Sequence, residues 1–254
     1  MAMDMDMDMD MDIMLKISRF FSSRSSASFE CLRDVHAHIL PGIDDGVSTV
    51  EESLQALLAL SNLGYKKVVA TPHIMSERYP NSSALILEKV REINEALSQS
   101  GIDLLVEPAA EYYLDDGFSA LLGKRDILAI EGKYVLFETS HGQRPFNLEH
   151  IIFDISSQGY IPLMAHPERH HYLTSDLELF RDLKNRGVLF QANIGSFGGV
   201  YGKNVEDAAF LLAKQGMIDF IGTDIHSPDQ IEKISKILKD KKFIKAISKN
   251  RLLN

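Results

Sequence analysis

The sequence has little cysteine, no surplus of positive charge and no long hydrophobic run. Cys31 is the only cysteine among 254 residues, which excludes an internal disulfide framework and a zinc site built on two or more cysteines of this chain. Lys and Arg number 27 against 36 Asp and Glu, and the net charge of -9 argues against nucleic-acid or anionic-membrane binding. No apolar run approaches the roughly 20 residues that cross a bilayer. We therefore expect a cytoplasmic protein without a transmembrane segment.

Two common nucleotide-binding motifs are also missing. No Gly-x-Gly-x-x-Gly follows the first predicted strand, and Gly-x-x-x-x-Gly-Lys-Ser/Thr occurs nowhere in the sequence. In α/β proteins these glycine-rich loops bring the backbone close to phosphate groups at a helix N-terminus. Their absence argues against a dinucleotide-binding fold and against a P-loop enzyme.

The first 29 residues differ in composition from the rest of the chain. Residues 1–12 alternate Met and Asp except for Ala2, and residues 22–28 read S-S-R-S-S-A-S. A secretory signal has a basic stretch followed by an apolar stretch, and this segment does not have that pattern. We interpret residues 1–29 as a low-complexity, flexible arm and residues 30–254 as one folded domain.

From residue 30 onward, short apolar segments alternate with amphipathic segments of helical length. Strands that are covered on both faces have such short apolar runs. The predicted strands are 31–36, 67–71, 104–106, 134–138, 161–165, 188–192 and 220–223. Capping residues predict one helix from Ser48 or Thr49 and another that begins within residues 81–83 and is closed by Gly101. The remaining predicted helices are 148–158, 176–185, 205–214 and 228–248. This alternation predicts an α/β fold with parallel strands, closed as a distorted TIM-like barrel.

Six of the nine histidines lie at or just past the ends of predicted strands. They are His36, His38, His73, His141, His166 and His226. In a parallel barrel the C-terminal ends of the strands meet at one face, so we expect these imidazoles to converge there. The other three, His150, His170 and His171, have no such position, and we interpret them as residues outside the site.

Three carboxylates, Asp45, Glu111 and Asp224, accompany the histidines at the same predicted face. Imidazole and carboxylate together suit Zn, Mn, Fe or Co. Nine candidate ligands exceed the about four to six that one ion takes, and they are enough for two or three ions. A site with several divalent ions has a net positive charge, attracts a phosphate dianion and activates water. The sequence therefore predicts phosphoester hydrolysis at a multinuclear metal site.

Each candidate ligand also has a structural interpretation when it is taken alone. His73, His141 or His166 could be a polar strand-end residue bonded to the backbone. Asp45 could be a turn residue before glycine, and Asp224 could be a helix cap. However, a single metal site explains the whole pattern, whereas the structural interpretation needs a separate reason for every residue.

Six motifs lie at or near these strand ends. They read D-V-H-A-H-I-L-P-G-I-D-D-G, A-T-P-H, A-E-Y-Y, A-H-P-E-R, N-I-G-S-F-G-G and G-T-D-I-H. Together they resemble the polymerase-and-histidinol-phosphatase (PHP) superfamily from about Asp34 to His226. Within it they are most similar to the bacterial PHP-type tyrosine-protein phosphatases of capsule and exopolysaccharide loci. The stretch 191–199 resembles that subfamily rather than the histidinol phosphatases.

The resemblance implies a distorted (β/α)7 barrel with two or three metal ions, of which manganese is the first choice and iron, zinc or cobalt the alternatives. The implied ligands of the first ion are His36, His38, Glu111 and Asp224. Glu111 would bridge to a second ion, which His141 and His166 complete. The implied ligands of the third ion are Asp45, His73 and His226. The family pattern, and not the spacing, selects Glu111 over Glu107 and Asp45 over Asp44.

The resemblance also implies arginines that bind phosphate, because the guanidinium fork matches two phosphate oxygens. Arg144 in S-H-G-Q-R-P is the first candidate and Arg169 in H-P-E-R the second, with a surface salt bridge or a structural role as alternatives. Arg144, Asp224 and His226 are the expected catalytic residues. Relatives commonly carry a further arginine after the last D-x-H motif, but none occurs here between His226 and Arg251.

The resulting hypothesis is a metal-dependent phosphotyrosine-protein phosphatase in which activated water attacks phosphorus in line. Cys31 lacks the arginine that follows the nucleophile of cysteine phosphatases, and we interpret it as a small buried apolar residue. The implied partner is a phosphotyrosine protein, a bacterial tyrosine kinase of polysaccharide export. No nucleic acid is expected, and the oligomeric state stays open. The alternatives are a small-molecule phosphatase, such as one acting on histidinol phosphate, and a metal-binding regulatory protein without catalysis.

Overall fold

A computed structural model describes residues 33–174 and 176–254, in which strands and helices alternate. The described strands are β1 (Arg33–Ala37), β2 (Lys67–Ala70), β3 (His73–Ile74), β4 (Leu105–Pro108), β5 (Glu111–Tyr113), β6 (Tyr134–Glu138), β7 (Ile161–Ala165), β8 (Leu189–Asn193) and β9 (Phe220–Gly222). The predicted arm over residues 1–29, the domain boundary at residue 30 and Cys31 lie outside the described residues, so these three expectations stay predictions.

The helices of the described part follow the strands in sequence. They are α1 (Val50–Asn62), α2 (Ser83–Gln99), α3 (Asp116–Lys124), α4 (Leu148–Ser157), α5 (His171–Thr174), α6 (Leu177–Asn185), α7 (Lys203–Lys214), α8 (Ile231–Leu238) and α9 (Lys241–Ile247). Helix α1 begins where the sequence predicts, because the Thr49 hydroxyl accepts a hydrogen bond from the Glu52 amide at 3.2 Å. In the described residues, no helix has the length and apolarity that crossing a membrane requires.

All ladders between the named strands are parallel, in the orders β1-β2-β4 and β3-β5-β6-β7-β8-β9. Pro72 separates β2 from β3, but hydrogen bonding continues past this break, since the Glu111 amide donates to the Pro72 carbonyl at 3.1 Å. After β9 the chain returns to β1, where the His38 amide donates to the Ile225 carbonyl at 2.9 Å. Counting β2 with β3 and β4 with β5, seven strands form a distorted ring, which confirms the predicted TIM-like α/β fold.

The core has two parts, and both position the C-terminal ends of the strands. A large cluster of buried apolar side chains lies where the helices pack on the strands, with Phe180, Phe190 and Phe243 among its members. A smaller cluster joins side chains from several different strands, including Val35, Leu163 and Phe220. Burial on both faces explains why the strands have continuous apolar runs.

The short elements β3, β5 and α5 were not predicted, and two longer helical segments also differ from the predicted elements. The predicted helix 228–248 is divided, because Asp240 interrupts it and caps α9 by accepting a hydrogen bond from the Lys242 amide at 2.7 Å. Helix α3 was not predicted, although Asp115 caps it in the usual way by accepting a hydrogen bond from the Phe118 amide at 2.9 Å. Both signals are short-range caps that a search for hydrophobic periodicity does not detect.

Candidate active site

The C-terminal ends of the strands bring the predicted ligands together. Each of the nine belongs to a group of three or four residues in which one ligand atom per residue lies within 4.8 Å of the others: His36, His38, Asp45, His73, Glu111, His141, His166, Asp224 and His226. Glu107, which the spacing alone left as an alternative, lies elsewhere, because its Oε2 is 2.6 Å from Nη2 of Arg33. The convergence predicted from the strand ends is therefore what the structure shows.

Glu111 occupies the centre of this cluster and is fully buried. Its Oε1 lies 2.9 Å from Nε2 of His166. Its Oε2 lies 3.2 Å from Nε2 of His36, 3.3 Å from Nε2 of His38 and 3.2 Å from Nδ1 of His73. One carboxylate thus faces four imidazoles through both of its oxygens, which is the arrangement that a bridging ligand requires.

Two adjacent aspartates have different positions. Asp45 is partly exposed, and its Oδ1 lies 3.4 Å from Nε2 of His73 and 3.6 Å from Nε2 of His226. The Asp44 side chain is buried, and its Oδ2 accepts a hydrogen bond from Nδ1 of His38 at 2.8 Å. Asp44 therefore orients an imidazole from behind, as carboxylates commonly do behind metal-binding histidines, whereas Asp45 faces the cluster itself.

Buried polar side chains behind the cluster fix the strand ends. The Gln191 side-chain oxygen lies 2.7 Å from Nδ1 of His36 and so sets the orientation of that ring. Asp34 accepts hydrogen bonds from the amide of Thr223 at 2.9 Å and from its hydroxyl at 2.5 Å. These bonds tie β1 to the end of β9, directly before Asp224.

Two candidate ligands have strained backbone conformations. His166 has φ +32° and Asp224 has φ +52°, in the left-handed region that residues other than glycine rarely adopt. His166 directly follows β7, and Asp224 lies just after the end of β9. Such strain persists where the surrounding structure enforces it and is concentrated at functional sites.

The charges in the cluster are mutually dependent. Burial would lower the pKa of His36, but the carboxylates of Glu111 and Asp224 outweigh it and raise the pKa to about 9. Burial would raise the pKa of Glu111, but His36 and His73 hold it well below its ordinary value. Burial and the charge of Arg169 lower the pKa of His166 to about 4. The buried Glu111 carboxylate therefore stays ionised and needs positive charge beside it, and imidazolium or a metal ion can supply it.

The two arginines predicted to bind substrate have different surroundings. Arg169 lines the cavity above the cluster, its Nη1 lies 3.0 Å from Oδ2 of Asp224, and its guanidinium lies 4.4 Å from the centre of the Tyr201 ring. Arg144 pairs with Glu149 on the protein surface and is not among the residues that line the cavity. The structure thus brings Arg169, but not Arg144, to the cluster.

Sequence reasoning missed three residues at this site. Glu138 ends β6, and its Oε1 lies 3.2 Å from Nδ1 of His73. Its position at a strand end is the same signal that identified the other ligands. Arg78 lines the cavity from the turn after β3. His170 was interpreted as a residue outside the site, but it is fully buried and lies close to two of the predicted ligands.

The cavity above the cluster has a volume of ≈ 350 Å³ and is open to solvent. Tyr79 lies in its wall, with its ring nearly parallel to that of His73 and 5.7 Å away. Arg78 lies above the Tyr79 ring, with its guanidinium carbon 5.0 Å from the ring centre. The cavity therefore combines an anionic and imidazole-rich floor with aromatic and cationic walls, which suits an aromatic phosphate ester.

Comparison with known proteins gives matches over most of the chain. Residues 32–249 match the family described as "Capsular polysaccharide synthesis, CpsB/CapC". Tyrosine-protein phosphatase YwqE of Bacillus subtilis is 31% identical over 195 residues, which are 76% of this chain and 77% of that protein. Tyrosine-protein phosphatase CpsB of Streptococcus pneumoniae is 28% identical over 207 residues, which are 77% of this chain and 83% of that protein.

Solved structures agree with the sequence matches. One, from a study of YwqE of B. subtilis and CpsB of S. pneumoniae as metal-dependent tyrosine phosphatases, has a TM-score of 0.73 and 26% identity, and covers 87% of this chain and 96% of that one. The structure of HisK from Listeria monocytogenes has a TM-score of 0.51 at 14% identity, which shows a shared fold only. These findings confirm the PHP-type resemblance: the chain belongs to the CpsB/CapC family of capsular polysaccharide synthesis proteins.

Proposed function

We propose that this chain is a metal-dependent tyrosine-protein phosphatase, a phosphoric monoester hydrolase that acts on phosphotyrosine in a protein of capsule or exopolysaccharide synthesis. The observation that carries the proposal is the buried Glu111 carboxylate among four imidazoles, at the floor of an open cavity. The similarity to YwqE and CpsB, both named tyrosine-protein phosphatases, supports the substrate class.

The nine predicted residues, together with Glu138, are the proposed ligands of two or three metal ions, with manganese as the first choice. The donor set fits such ions, since carboxylates and imidazoles of the described residues converge at one place. When bound, the ions would activate water and offset the charge of the phosphate. Glu138 is a stronger candidate than His141 for the ion beside Glu111, because no group of mutually close ligand atoms among the described residues joins His141 to Glu111.

The chain's own residues orient the substrate. Asp224 holds the Arg169 guanidinium at the cavity wall through one nitrogen, which leaves its other N–H groups available to phosphate oxygens. His226 is partly exposed and lies beside Asp45 at the opening. We propose Arg169 as the arginine that binds phosphate. The catalytic roles of Arg144, Asp224 and His226 remain predictions.

Because Arg78 lines the cavity, we expect it to bind the substrate. Replacing Arg78→Gln should raise KM for a phosphotyrosyl peptide by about three- to tenfold and leave kcat nearly unchanged, because the lost cation binds substrate rather than the reacting atoms. Arg91→Gln on the exposed face of α2 is the matched control. Steady-state kinetics measure both variants, and equal KM values for Arg78→Gln and wild type would remove Arg78 from the substrate site.

The preferred substrate distinguishes a tyrosine-protein phosphatase from a small-molecule phosphatase. With manganese present, the wild-type protein should hydrolyse a phosphotyrosyl peptide with a kcat/KM at least about tenfold above that for histidinol phosphate, because the cavity wall includes Tyr79 and can pack against a phenyl ring. Phosphate release from both substrates is the measurement. A preference for histidinol phosphate would support a small-molecule phosphatase, and bound metal without turnover of either substrate would support a regulatory protein.

The charge balance of the cluster predicts how metal binding depends on pH. In the metal-free protein the pKa of His36 is raised from 6.5 to about 9, so its stabilising charge is fully present below pH 6.5 and is lost as the pH rises through about 9. A metal ion must displace that proton, so metal affinity should rise with pH across this window, by up to about tenfold per unit for one proton. Manganese titrations of the stripped protein at several pH values test this. An affinity that falls as the pH rises would contradict it.

We further propose a cytoplasmic location and, as the partner, a bacterial tyrosine kinase of polysaccharide export. Both follow from the family resemblance rather than from the geometry. Incubating the protein with the autophosphorylated kinase from the same organism and following loss of phosphotyrosine tests the partner. An unchanged phosphotyrosine signal under conditions that support peptide hydrolysis would reject it.

A further inference from the structure

Three imidazoles at the edge of the cluster have nitrogens without a hydrogen-bond partner. They belong to His141 after β6, His166 at the end of β7, and His170 directly before α5. The atoms are Nε2 of His141, Nδ1 of His166 and Nε2 of His170, and all three are buried. A buried polar atom without a partner costs free energy, so three such atoms on neighbouring rings call for a ligand that the protein itself does not supply.

The spacing of the three rings fits a single ion. Their centres lie 5.1 Å apart for His141 and His170, 5.4 Å for His141 and His166, and 5.7 Å for His166 and His170. Imidazoles that bind one tetrahedral zinc ion through Zn–N bonds of about 2.0–2.1 Å have ring centres roughly 5 Å apart. One ligand atom of each ring also lies within 4.8 Å of the other two.

The tautomer of His170 is already set for binding a cation. Its Nδ1 lies 3.2 Å from the backbone carbonyl of His166, so this nitrogen carries the proton and donates it. Nε2 is then unprotonated and offers a lone pair. Metal-binding histidines are commonly oriented in this way, by a hydrogen bond from the other ring nitrogen to a carbonyl or carboxylate.

We propose that His170 completes, with His141 and His166, a three-imidazole site for a divalent ion of the zinc class. Three imidazoles suit zinc or cobalt better than manganese, which prefers oxygen ligands. This proposal rests on the proposed function, because His141 and His166 are among the proposed metal ligands described above. It adds a ligand that lies outside the sequence motifs of that set.

A buried water is the competing occupant, because it could accept a hydrogen bond from one ring and donate to the other two. The number of metal ions bound per chain distinguishes a metal ion from a water at this position. The full-length protein is stripped, loaded with Zn²⁺, freed of excess metal and analysed for zinc per chain, as wild type, His170→Gln and His150→Gln. His150 is the matched control, since the same substitution there removes a solvent-exposed imidazole. We expect His170→Gln to bind about one zinc ion fewer than the other two. Equal zinc content in a folded His170→Gln would overturn the proposal.

Wild-type crystals grown with Zn²⁺ give a second test that does not depend on the folding of a variant. Anomalous difference density recorded at the zinc edge should show a peak between the three rings. Electron density there without an anomalous signal would identify a water and refute the site. Neither test uses turnover, so a failure of phosphotyrosine hydrolysis would count against the proposed function and leave this result unaffected.

Discussion

Glu111→Ala is expected to abolish phosphotyrosine hydrolysis, with a loss of at least about 10³-fold in kcat/KM, and to lower the bound metal in the same sample. Glu111 faces four imidazoles through both carboxylate oxygens, so its removal takes one ligand from more than one proposed ion. It also leaves buried imidazoles without the carboxylate that balances their charge, which weakens the cluster further. Metal analysis and phosphopeptide kinetics on one preparation measure both effects.

Glu107→Ala is the matched control for this prediction. Glu107 lies on β4, four residues before Glu111, but pairs with Arg33 and Lys67 away from the cluster. Its loss should leave metal content unchanged and reduce kcat/KM by less than about twofold, since a partly exposed ion pair contributes little. A fully active Glu111→Ala protein would rule out the bridging role.

Gly222→Ala is expected to impair both stability and activity, although it adds only one methyl group. A Cβ at this position would lie 2.7 Å from Cβ of His36 and 2.9 Å from the side-chain nitrogen of Gln191. Gln191 fixes the His36 ring at 2.7 Å, so the new methyl group must move either the ligand or the residue that orients it. Overpacking of this kind costs about 1–3 kcal/mol. We expect that loss in the free energy of unfolding, and a drop in kcat of about 10-fold or more, since small displacements at an active site have large effects.

Gly123→Ala provides the comparison for Gly222→Ala. Nothing lies within 4 Å of the Cβ that would be added at Gly123 in helix α3, and its φ is not in the left-handed region. This substitution should stabilise the protein by up to about 1 kcal/mol, because alanine has the higher helix propensity. Denaturant unfolding and phosphopeptide kinetics on both variants complete the test. Activity in Gly222→Ala equal to wild type would show that the His36 ring tolerates displacement.

The fold and most of the site were predictable from the same sequence feature, which is a short apolar run that ends in a polar residue. Short strands that are buried on both faces have continuous apolar runs, and a polar residue that ends such a run lies at the catalytic face of a parallel barrel. This rule brought Asp224 and six histidines to one face, where the structure has them, but it could not select Glu111 over Glu107. It could not separate Asp44 from Asp45, since both follow the same strand and differ only in which way the loop turns them.

The residues that escaped prediction depend on loop conformation. His170 reaches the cluster only because the chain after His166 forms a tight 3₁₀ turn that brings residue 170 back beside the strand end. Arg78 lies at the cavity because Met75 and Tyr79 pair across a three-residue turn. Neither conformation has a periodic pattern in the sequence. The family pattern likewise favoured Arg144, whose pairing with Glu149 is visible only in three dimensions.

We propose that the clustered imidazoles and carboxylates retain metal ions on which phosphotyrosine hydrolysis depends. Elemental analysis paired with a phosphotyrosyl-peptide assay, on purified, chelator-stripped and reloaded protein, tests it most directly. We expect two or three metal ions per chain in the active protein, loss of activity when the metal is removed, and recovery of both on reloading with manganese. Full hydrolysis by protein that contains no metal would contradict it.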